Sequence, residues 1–591
     1  MGRKTKKDVG AIVRNSGVSF RVWAPFADSV SVSGSFNDWS ETPMDNEADG
    51  YWHINIRNAE AGQEYKYVIK NGDKIYHRND PRSLNVTTLA GNSVIVDTDF
   101  DWEGDQQVSI PLEHQVVYEM HIGTFNRLDP AATGTFESAT DKLDYLRDLG
   151  ITTIELMPIG GMMMERAWWG YTPEYIYSVE NLYGGRFQFL NFIKAAHAKG
   201  LSVILDVVYN HFAVDNMLNL WQFDGWSENE KGGIYFYNDW RSNTPWGDTR
   251  PDYGRPEVQQ FLLDNIKMWL WDCHLDGLRV DSTIYIRNAK GNNDDPDNDL
   301  ADGWHLLQQL NNIAKKINSN SFVVGEDIAV NDYIVKPVEY GGAGFDSQWE
   351  VNFPQAIREA LSTNDPKRVS LDSIFSQLTK RFENNPFKRV IFVDSHDSAA
   401  NGSARFPELI APRKTSSVFA RQQTVIAAAI VMTTPGIPMI LQGQEFMQKG
   451  TFNDWQGLDW ERQEKFSGIV LAYKHLIALR HNSYGNSVGL TGANINIIHV
   501  DQDNKVIAYH RFRDGGPKDD VVVIINFGDR TYEEYDITFP HSGKWIVRFN
   551  STWSGYSEDF KEVNISEVYV DKKGMAKLPM PSSCALILSQ D

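Results

Sequence analysis

The sequence predicts an α/β fold in which a (β/α)8 TIM barrel is flanked by an N-terminal and a C-terminal β-sandwich domain. The chain has 591 residues, whereas one hydrophobic core stops growing at roughly 250–300 residues. Near both ends of the chain, apolar and polar residues alternate with a period of two, as they do in β-strands. Short apolar runs alternate with helical segments between these ends. The expected domains are residues 1–105, 106–485 and 486–591.

The N-terminal domain is predicted from three alternating runs, Val18–Trp23, Ser29–Ser33 and Tyr65–Ile69. Clusters of turn-forming residues separate the runs, as they do in small β-sandwiches. The aromatic residues Trp39 and Trp52 in this region could bind sugar, or they could belong to the core of a domain that only packs.

The middle region holds eight candidate barrel strands, separated by segments with helical spacing such as Phe136–Leu149 and Phe187–Lys199. Strands that alternate with helices pair in parallel through βαβ units, and eight such strands close a barrel. The candidate strands are Gln115–Ile122, Ile151–Ile159, Leu201–Asn210, Gly277–Ser282, Ser321–Asp327, Gly344–Val351, Arg389–Asp397 and Gly436–Glu445.

A long segment from about residue 212 to 256 exceeds the usual length of a connection between a strand and a helix. It is rich in aromatic residues, among them Trp221, Trp226, Trp240 and Trp246. Segments of this length often fold over a site, but most of these aromatic side chains could equally form a small core of their own.

The C-terminal region returns to alternating strands and predicts a second β-sandwich. The candidate strands are Ile495–Val500, Val506–Phe512, Val521–Phe527, Trp545–Phe549 and Ala585–Leu588.

The composition of the chain argues against several classes of binding partner. The formal net charge is −21 and the pI is ≈ 5.1, which opposes binding to a nucleic acid backbone. Two cysteines, Cys273 and Cys584, cannot build a disulfide framework or a thiolate zinc site. The basic N-terminus is not followed by the apolar stretch of a signal peptide, and no apolar run approaches the length of a membrane span. We therefore expect no membrane partner and a cytoplasmic location.

Four of the predicted barrel strands end in runs that contain ionisable residues: Asp206–His211, Gly277–Asp281, Gly325–Asp327 and Asp394–Asp397. The catalytic groups of such barrels lie at the C-terminal ends of the strands. Four strands that each end in carboxylates are hard to explain as solvated surface charge. The sequence therefore predicts a site at this end of the barrel.

Two chemistries suit these residues. The sequence has neither a glycine-rich phosphate loop nor a His-Glu-x-x-His pair, but its histidines and carboxylates could hold a metal. Alternatively, two carboxylates could flank a glycosidic bond, one attacking the anomeric carbon and the other protonating the leaving oxygen. Asp281 and Glu326 follow adjacent strands, about 4.8 Å apart, which suits the separation of roughly 5–5.5 Å that retention requires.

The four strand ends resemble, in the same order, the four sequence regions that mark glycoside hydrolase family 13, the α-amylase family. The resemblance covers most of residues 115–460. Residues 15–82 resemble carbohydrate-binding module family 48, notably in Phe36-Asn37-Asp38-Trp39. This resemblance implies a carbohydrate-active barrel that follows a sugar-binding type of module.

The resemblance also implies roles for individual residues. It makes Asp281 the nucleophile, Glu326 the general acid/base, and Asp397 the residue that holds sugar hydroxyls and stabilises the oxocarbenium-like state. Arg279 would keep the nucleophile ionised by charge pairing, although a purely structural salt bridge is possible. The remaining substrate-binding residues implied are Tyr171, Asp206, His211 and His396, of which Asp206 could be mainly architectural.

The resemblance extends to a group within the family. Ser395 precedes His396 where the family often has Asn, and this Ser-His-Asp form is typical of 1,4-α-glucan branching enzymes. The run Gly443–Phe446, followed by Leu458-Asp459-Trp460, points the same way. The implied partner is an α-glucan such as glycogen, amylose or maltooligosaccharides.

Other assignments stay open. An amylase-type hydrolase would share the same carboxylates, and the run Tyr118–Gly123 also fits trehalose-releasing hydrolases of the family. A non-catalytic glucan-binding protein would lack one of the three carboxylates. No cofactor is expected. Asn210 matches a calcium ligand of many amylases, but branching enzymes usually lack that site, so no metal is expected. Gly160–Met164 is unusual for the loop after the second strand.

Overall fold

The computed structural model describes residues 8–161, 168–213, 219–363 and 365–591, and it confirms the predicted fold class. Eight parallel strands form a closed barrel, which lies between two β domains. The strands of the N-terminal domain are β1 (Gly10–Arg14), β2 (Gly17–Trp23), β3 (Ser29–Gly34), β4 (Thr42–Pro43), β5 (Asp45–Asn46), β6 (Tyr51–Ile56), β7 (Glu64–Asn71), β8 (Lys74–Arg78) and β9 (Ser93–Val94).

The N-terminal domain is the expected sandwich of two antiparallel sheets. One sheet has the order β1-β2-β6-β5 and the other β4-β3-β7-β8, with β9 paired to β7. Phe20 and Tyr65 meet edge to face between the sheets, with ring centroids 5.1 Å apart. Trp52 belongs to this core and donates its indole N–H to Ala24 O, whereas Trp39 is 45% exposed.

All eight predicted barrel strands are present, but each is shorter than the apolar run that predicted it. The strands of the barrel region are β10 (Val117–Met120), β11 (Thr153–Leu156), a separate hairpin of β12 (Gly160–Gly161) and β13 (Tyr175–Val179), β14 (Ser202–Val207), β15 (Gly277–Val280), β16 (Phe322–Gly325), β17 (Ser347–Trp349), β18 (Arg389–Ile391) and β19 (Ile437–Leu441). The barrel closes because β10 pairs with both β11 and β19.

Shorter strands place the predicted catalytic residues on the connections that follow them. Strand β15 ends one residue before Asp281, and β16 ends one residue before Glu326. Ser282 has a positive φ of 42°, so the chain turns out of the barrel wall directly after Asp281. Of the run Gly160–Met164, which is unusual for this loop, Gly160 and Gly161 form strand β12, and Met162–Met164 lie outside the described residues.

The helices pack around the barrel. They are α1 (Ile122–Phe125), α2 (Phe136–Thr140), α3 (Leu143–Leu149), α4 (Gly185–His197), α5 (Pro256–Lys267), α6 (Thr283–Arg287), α7 (Ala301–Ile317), α8 (Asn352–Leu361), α9 (Leu371–Thr379), α10 (Phe406–Ile410), α11 (Val418–Thr433), α12 (Glu461–Lys465) and α13 (Ser467–Arg480). In the described part of the chain, no helix has the length and hydropathy that crossing a membrane would require.

The segment Phe136–Leu149, which has helical spacing, forms two short helices. It is divided into α2 and α3 because Lys142 leaves helical geometry with ψ of 2°. The two short helices contact different neighbours: α2 packs on α4, and α3 packs on α13. The break lets each half bury its own apolar side chains. The second predicted helix, Phe187–Lys199, is confirmed as α4.

The C-terminal domain is the expected all-β unit. Its strands are β20 (Asn494–Asp501), β21 (Val506–Phe512), β22 (Val521–Asn526), β23 (Tyr532–Thr538), β24 (Gly543–Asn550), β25 (Glu567–Val570), β26 (Met575–Met580) and β27 (Cys584–Ser589). A six-stranded sheet of order β20-β21-β22-β27-β24-β25 faces the β23-β26 pair, and the apolar residues between them form a separate core.

The N-terminal domain packs against the long segment that follows β14. Arg78 donates hydrogen bonds to the carbonyl oxygens of Trp221, Gln222 and Phe223 at 2.9–3.2 Å. Phe26 stacks on Trp226 with ring centroids 4.5 Å apart. Several aromatic residues of the segment are buried, as the small-core alternative expected, whereas Trp240 and Trp246 remain exposed.

We expect Arg78→Ala to loosen this segment. Hydrogen bonds from a charged donor contribute about 1.5–3 kcal/mol, and the substitution removes three of them; only Gln222 O keeps a second donor, the N–H of Gly225. Hydrogen–deuterium exchange should therefore rise in residues 219–236, and the melting temperature should fall. Arg57→Ala, which removes an exposed arginine of the same domain, is the matched control. Equal exchange in both variants would contradict the proposed anchoring.

Candidate active site

Arg279 lies at the centre of the site and contacts three carboxylates. Its Nη1 is 2.7 Å from Asp206 Oδ2 and 2.9 Å from Asp281 Oδ1, and its Nη2 is 2.8 Å from Glu326 Oε2. Asp206 pairs directly with Arg279 in the ladder of β14 and β15. The predicted residues from the third, fourth and fifth barrel strands are therefore brought together around one guanidinium, whose planar fork of donors suits shared recognition of carboxylates.

Burial raises the pKa of two carboxyl groups of the site, those of Glu326 and Asp206. Burial raises the pKa of Glu326 to about 8, although the positive charge of Arg279 acts to lower it. Burial likewise raises the pKa of Asp206 to about 7. Glu326 Oε2 accepts the backbone N–H of Ser282 at 2.9 Å and forms the ion pair with Arg279. Because Oε2 carries both of these interactions, the proton of the acid form belongs on Oε1.

Tyr171 and His396 form one wall of the site. Their rings are stacked with centroids 4.9 Å apart, and the Tyr171 hydroxyl donates to Asp206 Oδ2 at 2.6 Å. Burial acts to lower the pKa of His396, but the charges of Asp397 and Glu119 more than offset it and raise that pKa to about 9. His396 is therefore held as a cation at neutral pH.

His211 and Asn210 lie beside the predicted nucleophile. Asn210 Nδ2 donates to Asp281 Oδ2 at 2.7 Å, and His211 Nδ1 lies 2.5 Å from Asn210 Oδ1. Burial lowers the pKa of His211 to about 4, so its ring is neutral near pH 7. The indole of Trp246, from the long segment, stacks on this ring with centroids 4.4 Å apart.

Asp397 is the least enclosed of the predicted residues. Its side chain is 47% exposed, and its Oδ1 lies 3.5 Å from His396 Nε2. Asn401 Nδ2 donates to the same oxygen at 3.2 Å. Asp397 therefore stands at the solvent-facing edge of the site, where a polymeric substrate could reach it.

Two buried glutamates of the site were not predicted. Glu119 of β10 accepts hydrogen bonds from the backbone N–H and from Nδ1 of His396. Glu155 of β11 pairs with Glu119 in the ladder, and burial together with the charge of Glu119 raises its pKa well above the usual range. A charged residue in the middle of each apolar strand was the signal that could have identified them.

The described residues contain no group of three or more His, Cys, Asp or Glu side chains arranged to hold a metal ion. The amide of Asn210, the residue that matches a calcium ligand of many amylases, is engaged by Asp281 and His211.

Family models match almost the whole chain. The alpha amylase catalytic domain matches residues 120–244 and 215–470. Carbohydrate-binding module 48, the isoamylase N-terminal domain, matches residues 8–83. The alpha amylase C-terminal all-beta domain matches residues 497–591.

Two relatives and one solved structure are similar to this chain over most of its length. The chain is 30% identical to a malto-oligosyltrehalose trehalohydrolase of Saccharolobus solfataricus, over 74% of each protein. It is 28% identical to a 1,4-alpha-glucan branching enzyme GlgB of Oceanobacillus iheyensis, over 90% of this chain and 86% of the relative. A pullulanase structure from Bacillus acidopullulyticus superposes with a TM-score of 0.77 at 20% identity, covering 99% of this chain and 75% of that one.

We expect the raised pKa of Glu326 to limit activity at alkaline pH. If Glu326 protonates the leaving oxygen, kcat/KM on a glucan should fall as pH rises through about 8, because the acid form is lost. An α-maltooligosyl fluoride needs no protonation to leave, so its kcat/KM should stay level over the same range. Parallel pH profiles for the two substrates would contradict the assignment.

We expect Glu119→Gln to lower the pKa of His396, because it removes one of the charges that raise it. Loss of a charge-assisted hydrogen bond of about 1.5–3 kcal/mol should reduce kcat/KM roughly ten- to hundredfold. Nitrogen-15 NMR of labelled histidine would measure the pKa, with His396→Asn identifying the signal. An unchanged pKa of His396 in Glu119→Gln would contradict the proposed effect of the Glu119 charge on His396.

Proposed function

The chain belongs to the α-amylase family, glycoside hydrolase family 13, whose enzymes act on α-glucans, and we propose that it is a 1,4-α-glucan branching enzyme. Such an enzyme cleaves an α-1,4 bond and transfers the glucan chain that it holds as a glycosyl ester to a 6-hydroxyl. The observation that carries the chemistry is that Arg279 contacts both Asp281 and Glu326, and that burial raises the pKa of Glu326 to about 8. One carboxylate of the pair is thereby suited to attack and the other to protonate.

In the first step, Asp281 attacks the anomeric carbon and forms a covalent glycosyl ester. The bond to the glycosidic oxygen breaks, and Glu326 gives its proton to that oxygen, so the departing chain leaves with a free 4-hydroxyl. Tyr171, stacked on His396, offers a flat face to the reacting sugar. His211 and Asp397 provide polar atoms for its hydroxyl groups.

In the second step, a 6-hydroxyl of another glucan chain attacks the same carbon. Glu326 now takes the proton of that hydroxyl, and Asp281 leaves as a carboxylate. Burial is the main cause of the raised pKa of Glu326, and the charge of Asp281 adds to it. Esterification removes that charge, so the pKa of Glu326 falls when it must act as a base.

Two features support transfer over hydrolysis. The branching enzyme relative aligns with 90% of this chain and 86% of its own length, so the likeness includes the flanking domains. The Ser395-His396-Asp397 run is the form typical of branching enzymes. A trehalose-releasing or amylase-type hydrolase is the second candidate, favoured by the 30% identity with the trehalohydrolase.

The test is to incubate the purified protein with amylose and to follow reducing ends together with α-1,6 linkages by proton NMR. A branching enzyme should produce new α-1,6 signal while the reducing ends stay nearly constant. Rising reducing ends without α-1,6 signal would instead make the protein a hydrolase and overturn the proposed transfer.

Asp281→Asn is the control that separates an enzyme from a binding protein. In an enzyme, Asp281→Asn should slow the formation of whichever product wild type makes by at least a thousandfold, on the order expected for removal of a nucleophile. The variant should retain its affinity for maltoheptaose. A protein that only binds glucan would show no turnover before or after the substitution.

A further inference from the structure

A pocket lined by basic side chains lies apart from the carboxylates of the proposed active site. Its volume is ≈ 530 Å³, within the range of roughly 300–1,000 Å³ that small-molecule sites occupy. Five cationic side chains and one carboxylate, that of Glu408, line it. The chain as a whole has a net charge of −21, so this balance is the reverse of the general one. We call this site the basic pocket, and its cationic residues are Arg413, Lys414, Lys449, Arg462 and Lys465.

The cations of the basic pocket have no anionic partner in the protein. Among the residues that the structure describes, no carboxylate oxygen lies within 4.0 Å of a charged nitrogen of these five side chains. Glu408 instead accepts the backbone N–H of Arg413 at 2.9 Å. Like charges that are gathered without a counter-charge disfavour one another. An anion from solution would relieve that repulsion.

Two buried donors of the basic pocket are left for a ligand. Arg462 is only 5% exposed, and its Nε and Nη2 donate to Met447 O, which fixes the guanidinium. Its Nη1 and the hydroxyl of Thr415, a residue that is 7% exposed, make no hydrogen bond within the described part of the chain. Both residues line the pocket. Because buried polar groups normally have partners, these two donors indicate a ligand.

The basic pocket also lies at the beginning of a long helix. Ser417 lines the pocket and caps α11, a helix of 16 residues, by accepting the N–H of Ala420 at 3.2 Å. The first N–H groups of a helix and its macrodipole favour a negative charge, and phosphate groups often bind there. The helix therefore adds to the positive potential of the five side chains.

The walls of the basic pocket are bonded to the loop that carries Asp397. Phe406 donates its N–H to Asp394 Oδ2 at 2.8 Å, and Arg405 donates its N–H to Gly450 O at 2.9 Å. These bonds join the connection after β18 to the connection after β19. The basic pocket therefore lies at the same end of the barrel as the proposed active site.

We propose that the basic pocket binds the phosphate monoester of a glucosyl unit. A phosphate monoester brings nearly two negative charges and three acceptor oxygens, which match unpaired cations, a free hydroxyl and a helix N-terminus. The pocket is larger than a phosphoryl group, so the sugar fits beside it. A glucosyl unit is the ligand that suits a pocket at the mouth of an α-glucan-active barrel. This site depends on neither transfer nor hydrolysis, so it stands apart from the function proposed above.

Binding without turnover tests the site. Isothermal titration calorimetry of wild type with glucose 6-phosphate, at constant ionic strength, should give saturable binding with a dissociation constant of about 1 mM or less. Glucose should give none in that range, because it brings no charge, and inorganic phosphate should bind more weakly than glucose 6-phosphate. Absence of saturable binding of glucose 6-phosphate would overturn the proposal. Equal affinity for inorganic phosphate would overturn its glucosyl part.

A double variant locates the binding. Lys414→Gln combined with Lys449→Gln removes two exposed cations from opposite connections and should raise the dissociation constant for glucose 6-phosphate roughly tenfold or more. Lys572→Gln combined with Lys573→Gln removes two exposed lysines of the C-terminal domain. That matched control should stay within about twofold of wild type, because salt screens distant exposed charges. Circular dichroism would establish that both double variants are folded. Equal affinities in the two would overturn the site.

A phosphorylated glucan distinguishes the two sources of the ligand. Maltoheptaose that carries a 6-phosphate on one unit is titrated beside glucose 6-phosphate. If the phosphate arrives on a glucan chain, the phosphorylated maltoheptaose should bind more tightly, and the Lys414→Gln and Lys449→Gln double variant should reduce its advantage over plain maltoheptaose. If the ligand is a free hexose phosphate, glucose 6-phosphate should bind at least as tightly. Either result supports the site, whereas an undiminished advantage in the double variant would overturn it.

Discussion

One buried cation shared by three carboxylates is the interaction on which the site depends. Arg279 is fully buried, and a buried charge is tolerated only when partners and hydrogen bonds compensate for its desolvation. Its partners come from three consecutive barrel strands, so their register and the barrel's closure fix the distances among them. A single positive charge cannot neutralise three negative ones at this depth. The excess is relieved by protonation, as the raised pKa values of Glu326 and Asp206 indicate.

A second ion cluster faces the first across the mouth of the barrel. His396 is a cation there because Glu119 and Asp397 surround it, and Tyr171 connects the clusters by stacking on His396 and bonding Asp206. The reacting sugar would therefore lie between two fixed charge arrangements that need little reorganisation as charge develops on the ring, which is how such sites stabilise transition states.

The sequence predicted the barrel, its strand order and most of the site, because the alternation of apolar runs is local and the carboxylates directly follow those runs. It did not predict Glu119 and Glu155, since a carboxylate inside a short apolar strand gives no sign of what faces it across the barrel. Trp246 was one aromatic residue among many, and its stacking on His211 depends on how the long segment folds. The break at Lys142 depends on packing against two different helices, which sequence periodicity does not record.

The attachment of the N-terminal domain has a consequence for the order in which the chain matures. Arg78 bonds carbonyl groups 143–145 residues further along the chain, and Phe26 is covered by Trp226. During synthesis the sandwich leaves the ribosome before the barrel and can close its own core. Its outer surface stays incomplete until the long segment has been translated and has docked on it. Maturation of the catalytic mouth is therefore coupled to the domain that precedes the barrel.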